Sequence, residues 1–316
     1  MSAFLLKRGA TFIATLVAAS IVIFLVLEVL PGNAAQVMLG PEAPPEAVAA
    51  LSQKLGLDRP ALARYAGWIA GMAKGDLGTS YAYDTPVADL VDQALTLTIP
   101  LALIAMALNT VLGLALGIFA AARHNRLGDV AVMALSQVGI AIPTFWFAIL
   151  LILLFAVELG WFPAGGFPGW DAGLWPGLRA LILPAVSLAI VQSAILARVT
   201  RSAVLEVLRE DFVRTARAKG LTRGAALRRH VLRNALIPIV TIMGLQFSNL
   251  LVLTIVVENV FSLPGLGKLI LNSIDNRDVV VVQDVVMLLA AMVVAVNFIV
   301  DLLYAVIDPR LKLREL

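Results

Sequence analysis

Side chains able to do covalent chemistry are scarce in this chain. It has two histidines, His124 and His230, both in basic stretches, and no cysteine. A thiolate nucleophile, a disulfide framework and a Cys-based metal site are thereby excluded. Gly267-Lys268 comes closest to a phosphate-cradling loop. Leu269 follows where Ser or Thr is required, and Ser262 stands where the first glycine should be. HExxH, GxSxG and paired catalytic carboxylates are missing as well. No catalytic residue, metal ligand, bound cofactor or ATP site is therefore expected in this chain, and it does not read as an enzyme. What remains are polar side chains set inside long apolar runs, where an unpartnered polar atom is costly. Gln192 and Ser193 occupy one run. Gln246 and Asn249, three apart on another, are expected to share a helix face. These four line a polar pathway or hydrogen-bond to neighbouring helices.

The elements holding those residues follow from composition. Of 316 residues, 60% are hydrophobic and 14% charged, with a mean hydropathy of +0.94. A soluble domain averages roughly 25% charged residues, so most of this apolar surface must face lipid. A soluble enzyme, a disordered chain and a nucleic-acid binder are excluded. Charge-free runs cover 9–27, 93–122, 130–157, 180–197, 234–257 and 285–300, the last continuing apolar to 307. A membrane helix needs about 20 mostly apolar residues. The runs are continuous rather than alternating, so six transmembrane helices are expected and a β-barrel is not. The first run exceeds a signal-peptide core and is expected to remain a span. Pro143 should kink the third helix. Gly113 and Gly117 form a small-xxx-small packing pair.

With the N-terminus inside, 17 of the 24 Lys and Arg fall on inner segments and 7 on outer ones. This bias places both termini in the cytoplasm. The chain divides into an N-terminal span (1–30), an extracytoplasmic segment (31–92), a five-span core (93–307) and a cytoplasmic tail (308–316). Short amphipathic helices are expected at 46–56 and 61–74. Between spans four and five lies a segment, 198–233, with ten basic and three acidic residues. Leu205, Leu208, Phe212 and Ala216 recur at helical spacing, which predicts one apolar face. Gly220 follows Lys219 as a helix-ending glycine should, and Thr222 can cap a second helix. A rigid helix–glycine–helix knob that suits docking is expected.

Several motifs carry a family resemblance. They are Leu55-Gly56-Leu57-Asp58, Gly75-Asp76-Leu77-Gly78-Thr79-Ser80, Pro86-Val87, Ile142-Pro143-Thr144-Phe145-Trp146 and Leu159-Gly160-Trp161-Phe162-Pro163-Ala164-Gly165. Val257-Glu258-Asn259-Val260-Phe261-Ser262, Pro264-Gly265-Leu266-Gly267, Asp301-Leu302-Leu303-Tyr304 and Asp308-Pro309-Arg310 follow. In this order the chain resembles the inner-membrane permease subunits of dipeptide and oligopeptide ABC importers, over nearly its whole length. The resemblance implies a type I importer fold, an all-α membrane protein of the bacterial inner membrane. It implies a second, similar permease, two ATPase subunits that hold ATP and Mg, and an external substrate-binding protein. The basic knob then looks like the coupling loop that sits in a groove of the ATPase, with Arg214, Thr215, Ala216, Arg217, Ala218, Lys219, Gly220 and Leu221 as its contact segment. Arg214 and Thr215 stand where importers in general carry Glu and Ala, a departure that looks like the peptide branch.

Under this resemblance Glu258 is expected to pair with the second permease, and Asn297 and Asp301 to make a structural or gating contact. Segment 31–92 either receives the binding protein or acts as a lid. Peptide is the first expectation for cargo; nickel, glutathione or another small solute is the alternative. A gradient-driven secondary transporter is a remote alternative. It would place charges mid-membrane, whereas Glu28 and Asp301 lie near helix ends.

Overall fold

The computed structural model describes residues 2–29, 34–40, 42–54 and 56–307. The tail 308–316 and the side chain of Asp301 lie outside the described residues. The described residues are helical throughout, apart from loops and one isolated β-bridge, Thr79 to Pro86.

The helices run α1 (Ser2–Val29), α2 (Ala34–Leu39), α3 (Pro45–Lys54), α4 (Ala61–Ala73), α5 (Val87–Ala122), α6 (Leu127–Ala141) and α7 (Thr144–Leu151). Then come α8 (Leu174–Leu208), α9 (Asp211–Ala218), α10 (Arg223–Ala226), α11 (Leu232–Val260), α12 (Leu266–Asp275) and α13 (Val279–Ile307). Among the described residues, five stretches are long and apolar enough to cross a membrane, and six if α6 and α7 with its π-helical end make one broken span. The expected kink at Pro143 is there, and it is a full break. Leu127–Ala141 and Thr144–Glu158 meet at 101°. Ile142, just before Pro143, is extended (φ −84°, ψ 123°), because the proline ring disfavours helical backbone in its predecessor. The spans also outrun their charge-free stretches. α5 begins at Val87 with Asp89 in its first turn, where a carboxylate complements the helix dipole.

The chain forms two compact units. One comprises Leu5–Thr98 and Pro264–Val294. Here Val87, Val91, Leu266, Ile270, Val281 and Val285 make a buried apolar cluster. The Thr98 hydroxyl accepts from the Leu266 N–H at 2.9 Å, satisfying the start of α12. Tyr65 of α4 meets Ser20 of α1 at 2.9 Å, and Arg64 pairs with Glu28. Only 6% of the α1 membrane window is buried by its own chain, so its remaining apolar surface is left for lipid or a partner.

The other unit comprises Met1–Phe4, Ile99–Leu263 and Ala295–Leu316. Its most enclosed helix is α8, with 72% of the membrane window buried. The glycine pair packs against it. A Cβ at Gly113 would lie 2.7 Å from Leu196, and one at Gly117 2.5 Å from Thr200. Only hydrogen fits at those contacts. Two motifs also meet in this unit: the Gly166 N–H donates to the Phe261 carbonyl at 2.8 Å. A Cβ on Gly165 would sit 2.4 Å from that same oxygen.

Candidate coupling loop and buried polar contacts

α8 ends at Leu208, and the chain turns at Arg209 and Glu210 before α9. The turn corrects the predicted face. Leu205 and Leu208 belong to α8, whereas on α9 Val213 is buried to 1% and Phe212 is 44% exposed. A two-residue interruption rotates the register, so the apolar stripe does not continue through Phe212. Gly220 then takes φ +99°, a left-handed conformation that glycine adopts without strain. The Gly220 and Leu221 N–H groups donate back to Arg217 and Ala216 carbonyls at 3.0 and 3.3 Å, closing the end of α9. The Thr222 hydroxyl accepts from the Ala225 N–H at 3.3 Å and caps α10. α10 is no separate helix of the knob, since a π-helical turn, Leu227–Val231, carries it into α11.

The loop has two unlike sides. Val213, Ala226, Val231 and Ala235 are buried in one cluster with Val204, Leu196 and Ala121. Arg214, Thr215, Arg217, Ala218, Lys219 and Gly220 are exposed, Ala216 is half-buried, and Phe212 lies on the exposed side. The Arg214 guanidinium reaches Asp211 at 3.2 Å with both side chains largely in solvent, a contact of little net worth.

Near the loop, Arg201 of α8 donates to Asp129 of α6 through Nε at 2.5 Å and Nη2 at 2.7 Å. Asp129 is 2% exposed. It also accepts from the Asn125 N–H at 2.9 Å and lies 3.3 Å from His124 Nδ1. This fork-on-fork pair ties the chain between α5 and α6 to the stem of the loop. Sequence reasoning passed over it, because Arg201 was one of ten basic residues in its segment. The usable signal was Asp129 itself, an acid on a side dominated by cations.

The polar residues of the spans divide. Gln246 is buried; its Nε2 donates to the Gln192 carbonyl at 2.8 Å, and its Oε1 accepts from Asn109 Nδ2 at 3.0 Å. Asn109, fully buried on α5, was missed, since a lone Asn in an apolar run has no periodic signal. The Ser193 hydroxyl donates to its own helix at the Ile190 carbonyl, 2.8 Å away. Asn249 is exposed, so it does not share the environment of Gln246. The Ser248 hydroxyl donates to Asn297 Oδ1 at 3.3 Å, joining α11 to α13. Glu258 is fully buried by its own chain, which removes it from any surface where a second permease could pair with it. Buried Asn109 Oδ1 and Gln192 Nε2 have no partner among the described residues.

Known proteins match this architecture along its whole length. A family described as "Binding-protein-dependent transport system inner membrane component" matches residues 113–313, and its N-terminal companion matches 1–102. A Brucella abortus (strain 2308) protein named as a peptide transport system permease is 41% identical over 313 residues, covering 99% of each chain. The glutathione transport system permease protein GsiC of Salmonella typhi is 39% identical over 309 residues, covering 98% of each. Among solved structures, the inward-facing MetNI methionine ABC transporter aligns at TM-score 0.58 and 19% identity, over 69% of this chain and 96% of that one. An amino acid ABC transporter solved with histidines aligns at TM-score 0.54, over 68% and 92%. The fold is that of a type I importer permease, which works with ATPase and substrate-binding partners and is not itself catalytic. The chain belongs to the binding-protein-dependent transport system inner membrane component family and is a multi-pass inner-membrane permease of an ABC importer.

Proposed function

We propose that this permease forms half of a pathway for short peptides, delivered by an external binding protein and driven by two ATPase subunits. A second, similar permease supplies the other half. ATP and Mg are held by the ATPases, and both termini of this chain face the cytoplasm. The names of the relatives support peptide cargo. Glutathione, itself a tripeptide, is the second reading, favoured by the GsiC likeness.

The observation that carries the mechanism is the two-sided loop. Its outer side presents Phe212, Arg214, Thr215, Arg217 and Lys219 as a basic, aromatic knob, and its inner side is buried among α5, α8 and α11. Such a knob transmits force, because its anchor residues cannot move without moving the spans. The segment Arg214, Thr215, Ala216, Arg217, Ala218, Lys219, Gly220 and Leu221 would seat in the ATPase. ATP binding would draw the two ATPases together and pull the loops inward. Swinging an inward/outward equilibrium from 1:99 to 99:1 takes about 5.5 kcal/mol, carried across this contact and its counterpart on the second permease.

Purification of the chain from native membranes in mild detergent, with partners identified by mass spectrometry, tests the assembly. A second permease and P-loop ATPases should be recovered. Recovery of the chain alone, in a preparation that still transports, would overturn it.

A further inference from the structure

α4, the loop after it and the start of α13 line a half-open cavity of about 260 Å³, with Gly67, Trp68, Asp76, Gly78, Gln283 and Asp284 among its residues. It shares no residue with the coupling loop or with the Gln246 contacts. Asp284 is 3% exposed. Its Oδ1 accepts from the Trp68 indole N–H at 2.6 Å, and its Oδ2 has no partner among the described residues. Gln283 is 9% exposed, and its Nε2 has no partner among the described residues either. Asp76, an exposed residue of the lining, accepts from the Gly78 N–H through Oδ1 at 2.9 Å. The lining has no Lys, Arg or His.

Buried polar atoms without partners are rare and call for an occupant. Here the two are an acceptor, on a carboxylate, and a donor, on an amide, side by side in the chain. The glycines leave room for a small molecule. An anion is disfavoured by two carboxylates, and an apolar molecule would strand both polar atoms. We propose that the cavity binds a primary ammonium group bearing an oxygen two carbons away, the ammonium donating to Asp284 Oδ2 and the oxygen accepting from Gln283 Nε2. Asp76 adds a second negative charge at the mouth, and the Trp68 ring forms an aromatic wall that favours a cation. Two sources carry this group: free amino-acyl or amino-alcohol solutes, and the ethanolamine headgroup of a lipid.

Binding of radiolabelled ethanolamine to the assembled importer in phosphatidylcholine nanodiscs tests the site. Binding should saturate. Propylammonium, which lacks the oxygen, should compete less well, and N-acetylethanolamine, which lacks the charge, not at all. Asp284→Asn should weaken binding by about tenfold or more, the worth of one hydrogen bond to a charged group. Gly67→Leu should abolish it by filling the cavity wall; a Cβ there meets nothing within 4 Å, so the helix tolerates the change. Discs containing phosphatidylethanolamine assign the source: weaker binding of free ethanolamine identifies the lipid, and unchanged binding identifies the solute. Non-saturable binding, or equal binding in wild type and both variants, would leave only a hydrated cavity and overturn the proposal.

Discussion

Arg201 and Asp129 form a contact whose loss can be measured directly. Asp129 is nearly inaccessible, and both its oxygens are engaged by one guanidinium. Breaking the pair from the arginine side leaves the carboxylate short of its charge partner; a fully buried pair would lose about 3–5 kcal/mol, and the partial exposure of Arg201 makes this loss smaller. Arg201→Ala should therefore lower the thermal unfolding midpoint of the purified importer markedly. Asp129→Asn in the same background should recover part of the loss by removing the stranded charge. An unchanged midpoint in Arg201→Ala would overturn the structural role of the pair and show that the Asn125 N–H and His124 suffice to hold Asp129. At this scale the sequence identifies polar residues inside spans but not their partners. Gln246 stood out because it interrupts an apolar run, yet its contacts, Asn109 and Gln192, are 137 and 54 positions away.

Among the elements, the turn between α9 and α10 carries the sharpest prediction. Nothing lies within 4 Å of a Cβ built on Gly220, so a substitution there acts through the backbone alone. A β-branched residue held at positive φ costs about 1–3 kcal/mol. Gly220→Val should leave the complex assembled but reorient the knob. Transport and substrate-stimulated ATPase activity in proteoliposomes should both fall on the order of tenfold, the usual scale of a coupling free energy. Wild-type values for both would refute the coupling role of this turn. The glycine turn and the Thr222 cap were legible because both depend on local backbone chemistry. The face of α9 was not, because a two-residue break at Arg209 and Glu210 resets the register and brings Val213 inward in place of Phe212.

At the scale of the whole molecule, orientation is the property to test. The chain lacks cysteine, so single cysteines report topology without background. In intact spheroplasts, Lys74→Cys should react with a membrane-impermeant maleimide and Arg126→Cys, on the inner turn between α5 and α6, should not. Inverted vesicles should give the opposite pattern, and a reversal of the two would overturn the positive-inside assignment. Both positions are exposed in the chain, so a lack of labelling reports the membrane rather than burial.

The apolar runs, the basic segment between spans four and five, the left-handed glycine and the absence of an ATP motif were all readable in the sequence. Each is set by short-range chemistry: transfer of a contiguous stretch into lipid, or the φ preference of one residue. The tertiary structure alone decided that α6 and α7 meet at 101°, that Glu258 is enclosed by its own chain, and that Trp68 reaches Asp284 across 216 positions to wall a cavity. Span ends also moved, with α8 running from Leu174 to Leu208 rather than over 180–197. Charge marks where lipid gives way to water, whereas a helix ends where its backbone bonds or its packing fail. Contacts between distant segments depend on how helices are juxtaposed, and no local pattern of residue types encodes that.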